Sequence, residues 1–174
     1  SGMDQMMADI ASMGGELFVM DDGWFGDKYP RKNDSSSLGD WVVDKNKLPN
    51  GIEGLLSDAK KHGVKFGIWI EPEMANTTSE LYEKHPDWVL KASERDVVLG
   101  RGGTQVVLDL ANPAVQDFVF GVVDNLMTSY PEIDYIKWDA NMSVQNHGSQ
   151  YLTKDNQSHM YIEFHRGFEK ICQR

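Results

Sequence analysis

Cysteine is nearly absent from this chain: Cys172 stands alone among 174 residues, so neither an internal disulfide framework nor a cysteine-rich metal site is available. Positive charge is scarce as well. Seventeen Lys and Arg stand against 27 Asp and Glu, a net charge of −10, which removes the attraction that drives nucleic-acid binding. No apolar run approaches the roughly 20 residues needed to cross a bilayer. His-Glu-x-x-His is missing, and the five histidines fall on expected helices or loops, which leaves a zinc reading without ligands. The start, Ser1-Gly2-Met3, reads as an appended leader and not a signal peptide. The compartment stays open, with the cytoplasm slightly favoured. What is present is a chain 40% hydrophobic, enough for one sizeable core and a single domain over 1–174.

Met3, Met6, Met7, Ile10 and Met13 recur at helical spacing before Gly14-Gly15, which predicts a first helix with these residues inward. Leu17 to Met20 reads as a buried strand running into Asp21-Asp22-Gly23-Trp24. Residues 25 to 49 are rich in Asp, Ser, Gly and Pro and predict a long loop, with Trp41 as its anchor. A helix follows, with Asn50 as cap, Glu53 three residues on, and a stop at Lys60-Lys61-His62-Gly63. Val64 to Ile70 is a second strand, ended by Glu71-Pro72-Glu73.

A short helix is expected over 78–84, and Val106 to Leu110 is extended. Gly100-Arg101-Gly102-Gly103 lacks the Gly-Lys-Ser/Thr ending of a phosphate loop. Asn112-Pro113 opens a helix whose face is Val115, Phe118, Val119, Val122, Val123, Leu126 and Met127. Asp134 to Asn141, an apolar, aromatic run into Lys137 and Asp139, reads as the third strand. The last helix turns Met160, Phe164, Phe168, Ile171 and Cys172 inward. The Asn-x-Ser/Thr matches at Asn33, Asn76, Asn141 and Asn156 are read as chance.

Alternating helices and apolar strands predict an α/β fold with a parallel sheet covered on both faces. In such folds the site lies at the carboxyl ends of the strands. Those ends carry Asp21-Asp22, Glu71 and Glu73, and Lys137-Asp139-Asn141, the last three on one side of the strand by alternation. A cation beside Asp139 would keep it ionised, as a nucleophile requires. Three chemistries fit. Carboxylates, amides and the indoles of Trp24, Trp41, Trp69 and Trp138, all expected at or near the rim, suit glycoside hydrolysis. Carboxylates on successive strands beside a lysine also suit a divalent-metal enzyme of the enolate-forming kind. A non-catalytic carbohydrate-binding piece is the third.

Glu16 to Gly26, Gly39-Asp40-Trp41, Gly67 to Met74 and Lys137-Trp138-Asp139-Ala140-Asn141, in this order, resemble the α-galactosidases of glycoside hydrolase family 36. The resemblance runs over nearly the whole chain. It implies a retaining enzyme without metal or other cofactor, built on a (β/α)8 TIM barrel, of which this chain holds about strands 2 to 4 with their helices. It implies Asp139 as nucleophile and Asp21 and Asp22 as acceptors from the galactose O4 and O6 hydroxyls. Lys137, Asn141, Trp69 and Arg101 match further substrate-binding positions, although the Gly102-Gly103-Thr104 after Arg101 departs from the family pattern. The implied partners are α-galactoside oligosaccharides, with no nucleic acid and no membrane, and the parent enzyme is expected to be a homo-oligomer. The family's acid/base aspartate has no match here. The chain is therefore expected to be a fragment that by itself is inactive or pairs its open sheet edges with another copy.

Overall fold

The computed structural model describes residues 2–145 and 147–174. Helix α1 (Gly2–Ser12) leads into β1 (Leu17–Met20), and after a long loop α2 (Gly51–His62) leads into β2 (Lys65–Ile70). An excursion then carries β3 (Met74–Asn76), α3 (Glu80–Lys84) and β4 (Gln105–Val107). Helix α4 (Pro113–Ser129), strand β5 (Tyr135–Trp138) and helix α5 (Met160–Cys172) complete the chain. The main sheet is parallel throughout, in the order β1-β2-β5, with Met20 opposite Ile68 and Ile70 opposite Trp138.

Strand β2 is central, and Phe66 to Ile70 are all buried, as a strand covered on both faces requires. Gly67 is there for room: a Cβ at this position would lie 3.1 Å from the Tyr135 side chain and its carbonyl oxygen. Strands β3 and β4 pair antiparallel in a separate two-stranded sheet, so the extended run near 106 has a partner at 74–76 that three residues are too short to announce.

Helix ends follow local chemistry at most positions. The Asn112 carboxamide accepts from the Ala114 amide at 3.0 Å, with Pro113 in the first turn. Gly63 closes α2 at φ 70°. Asn50 does not cap as expected, because its side chain makes no cap hydrogen bond and Gly51, at φ 66°, turns the chain into the helix instead. Two expected inward faces are narrower than their periodicity. In α1 only Met7 is buried while Met6 and Met13 are exposed, because the helix rests on α2 and β1 along one edge. In α5, Met160, Phe164 and Ile171 are buried but Cys172, in the last turn, is exposed.

The loop between β1 and α2 is held by Asn76, which is fully buried. Its carboxamide oxygen accepts from Arg31 Nη1 at 3.0 Å and from the Leu38 amide at 2.9 Å. Its nitrogen donates to the Asp34 carbonyl and to Thr104 Oγ1, each at 3.0 Å. All its hydrogen-bonding capacity faces protein, which also leaves no room for a glycan.

Candidate active site

The carboxyl ends of the three parallel strands meet at one rim, and side-chain contacts tie them together. Lys137, on β5, places its ammonium 2.8 Å from Asp21 Oδ2 beyond β1. Trp69, on β2, donates its indole N–H to Asp139 Oδ2 at 3.0 Å, and Asn141 donates its side-chain amide to the same oxygen at 2.7 Å. Asp139 Oδ1 accepts from the Ala140 amide at 2.9 Å. The Asp139 amide continues the sheet for one more bond, to the Ile70 carbonyl at 2.9 Å. Burial pushes the Asp139 carboxyl up, but the hydrogen bonds from Trp69, Asn141 and Ala140, with the charge of Lys137, hold it below the usual aspartate value. Neutral N–H donors outrank the lysine here, since the ammonium itself is bonded to Asp21.

The paired aspartates do not face each other uncompensated. Asp21 takes Lys137, and chiefly through that bond its carboxyl lies below the usual value. Asp22 takes Arg31 in a two-pronged pair, Nε to Oδ1 at 3.0 Å and Nη2 to Oδ2 at 2.6 Å. Arg31 is 5% exposed and came from the middle of a polar loop, where no periodicity marks it. Its Nη2 also lies 3.6 Å from Asp34, which pairs with Arg101 at 2.9 Å. Arg101, half exposed, is thus joined to Asp22 through an alternating series of charges and is not among the partners of Asp139. Lys47 adds to the frame by donating to the Gly23 carbonyl at 2.7 Å and to the Arg31 carbonyl.

The two glutamates after β2 are compensated differently. Glu71, 2% exposed, accepts from Gln105 Nε2 at 3.0 Å and from the Asn141 backbone amide. Glu73 accepts the Trp138 indole N–H at 2.7 Å. Neither forms a salt bridge among the described residues, and burial pushes both carboxyls above the usual glutamate value.

The tryptophans divide. Trp24 is fully buried and donates to the Trp69 carbonyl at 2.9 Å, so it is a core residue and not a rim aromatic. Trp41 rests in the same pile, its ring centroid 4.6 Å from Phe25 and 5.9 Å from Trp24, which is the anchoring expected of it. Trp69 is 2% exposed, and its polar edge is what reaches the rim. Trp138 is half buried, edge-on to Phe168. Among the described residues no three His, Cys, Asp or Glu side chains are placed to hold a metal ion. Likewise none of the described helices is long and apolar enough to cross a membrane.

Comparison with known proteins bears on this arrangement. The Melibiase family profile matches residues 1–174. The probable alpha-galactosidase C of Aspergillus oryzae is 41% identical over 98% of this chain, and alpha-galactosidase AgaA of Geobacillus stearothermophilus is 42% identical over 94% of it. The chain spans less than a quarter of the length of these relatives, 23% and 22%. Among solved structures, the GH36 alpha-galactosidase AgaB of G. stearothermophilus superposes with a TM-score of 0.90 at 39% identity, over 98% of this chain and 23% of its own. A variant of AgaA in complex with raffinose superposes at 0.85 with 39% identity, over 99% of this chain and 24% of its own.

Proposed function

This chain belongs to the Melibiase family of glycoside hydrolase family 36, and from that premise we propose that its rim is the nucleophile-bearing side of a retaining α-galactosidase site. Its relatives are named α-galactosidases, and variants of one of them, AgaA, were solved with raffinose and with stachyose, so the substrate class proposed here is α-galactoside oligosaccharides. The three parallel strands are read as about strands 2 to 4 of a (β/α)8 barrel, which puts the acids at the face where such barrels carry their sites.

The observation that carries this reading is the state of Asp139. It is kept ionised by donors that fix one oxygen, Oδ2, between Trp69 and Asn141, while Oδ1 keeps a single local backbone donor. Attack by Oδ1 on the anomeric carbon forms a galactosyl ester as the bond to the leaving oxygen breaks. Water then cleaves the ester, and two inversions give net retention. The leaving oxygen must take a proton from a second carboxyl group. No residue of this chain is assigned that role, since Glu71 and Glu73 are both committed to N–H donors inside the rim.

Asp21 and Asp22 supply the discrimination. A carboxylate oxygen has two lone pairs, so Asp22 can hold Arg31 with both prongs and still accept from hydroxyl groups. An axial O4 that donates to this pair satisfies it, whereas the glucose epimer covers these exposed acceptors and leaves one unpaired. Lys137 and Asn141 contact the sugar beside the nucleophile, Trp69 sets its floor, and Arg101 reaches it from the β4 side. The metal-enolate alternative is not favoured, because the acids are already partnered by Lys137, Arg31 and N–H groups and no three converge among the described residues. Nuclear magnetic resonance titration tests the reading. Galactose is expected to shift the Trp69 indole and Asn141 amide signals at concentrations about tenfold below those needed for glucose. Equal response to the two sugars would remove the galactoside assignment.

A further inference from the structure

We propose that Glu71 and Glu73 are positioning residues that clamp the nucleophile segment from both sides, Glu73 through Trp138 before Asp139 and Glu71 through Asn141 after it. The proposal rests on the reading of Asp139 as nucleophile.

Strand β5 ends at Trp138, and the last sheet bond of this segment is the one from the Asp139 amide to Ile70. Beyond that bond the backbone leaves the sheet, and Asn141 is caught by the Glu71 carboxylate. The register puts Ile70 opposite Trp138, so Glu71 lies level with Asp139. One residue further on each strand, Pro72 separates the two glutamates, and Glu73 reaches back to the Trp138 indole. Asp139 therefore sits between two fixed points two and one residues away. The side chain of Asn141, whose amide Glu71 holds, is itself a donor to Asp139 Oδ2. Gln105, buried on β4, donates to the same Glu71 oxygen, Oε1, as the Asn141 amide.

A buried carboxyl without a cation is an expensive way to hold a loop. An apolar side chain of the same volume removes the desolvation cost and is often neutral or stabilising. A buried Glu71 and a half-buried Glu73 flanking one aspartate are what orientation of that aspartate requires, and misplacement of a reacting atom by about 1 Å can lower a rate about a hundredfold. The charge of Asp139 is among the influences that raise the Glu71 carboxyl, after burial, so the two groups sense one another.

The test uses the 174-residue chain, an activated 2-fluoro-α-galactosyl fluoride that needs no protein acid, and proton spectra of the Trp69 indole and Asn141 side-chain amide. Glu71→Met removes the acceptor at nearly constant volume. It is expected to slow labelling of Asp139 about ten- to a hundredfold and to move both proton signals, while Glu71→Gln, which keeps an acceptor oxygen, stays within about threefold. Should Glu71→Met fail to fold, Gln105→Leu frees the carboxylate from its second donor and is expected to act in the same direction. A folded Glu71→Met chain with the labelling rate of the unsubstituted protein overturns the proposal, whether or not the proton signals move. If the unsubstituted chain is not labelled, the pocket is not assembled in this chain alone. The proton signals then decide the clamp alone: movement supports it and wild-type signals overturn it.

Discussion

The acids at the end of β1 and those at the end of β2 solve the same problem by opposite means. Asp21 and Asp22 are neutralised by cations, Lys137 and Arg31, brought from a distant strand and a loop. Glu71 and Glu73 are held by neutral N–H groups from Gln105, Asn141 and Trp138. The consequence is that the carboxyls move in opposite directions: chiefly the Lys137 bond lowers Asp21, whereas burial raises Glu71 and Glu73. Asp139 lies between the two groups, compensated by neutral donors like the glutamates yet with its carboxyl lowered like that of Asp21. Charged partners keep acceptors available to a ligand, and neutral partners keep geometry without adding a field.

Breaking the β1 side should cost the most. Asn76→Ala removes four hydrogen bonds, two of them buried, and takes one partner from Arg31, and a loss of about 3 kcal/mol in urea unfolding is expected. Arg31→Lys keeps the charge but not the fork, and about 2 kcal/mol is expected from the same measurement. If Arg31→Lys matches the unsubstituted chain, the two-pronged pair is not what holds the rim.

The β2 side should respond to pH in the opposite sense from the β1 side. A carboxyl whose value is raised in the folded state binds more protons folded than unfolded, so stability falls as pH rises from the unfolded value, 4.5 for Glu71 and Glu73, through the folded one. Glu71→Gln is expected to flatten that decline in melts taken across this window, with little change at its acid end. For Asp21 the sign is reversed: its contribution is present above the unfolded value of 3.8 and fades as pH falls through the folded one. Asp21 and Lys137 are 64% and 43% exposed, so Lys137→Met should leave the melting temperature nearly unchanged and remove only a salt-sensitive component. A large effect there would erase the contrast between the two groups.

How much of this is readable in the amino-acid order depends on range. Strand ends were legible because a short apolar run stopping at acids is a local pattern, and the caps at Asn112 and Gly63 are equally local. Asn50 misled because the left-handed Gly51 takes over the turn, a backbone choice that no side-chain pattern carries. Met6, Met13 and Cys172 misled because periodicity marks a face without saying how wide its neighbour is. The cation on Asp22 and the amide on Glu71 come from Arg31 and Gln105, in a loop and in a three-residue strand, and could not be assigned without the fold. Lys137 was correctly marked as a rim residue, yet its partner is Asp21 across the sheet and not the aspartate two residues on.

The most direct measurement is intact mass and peptide mapping after incubation with the activated 2-fluoro-α-galactosyl fluoride. The account predicts one galactosyl adduct, carried by Asp139 and absent in Asp139→Asn. An adduct on another carboxyl group, or one that persists in Asp139→Asn, would contradict it.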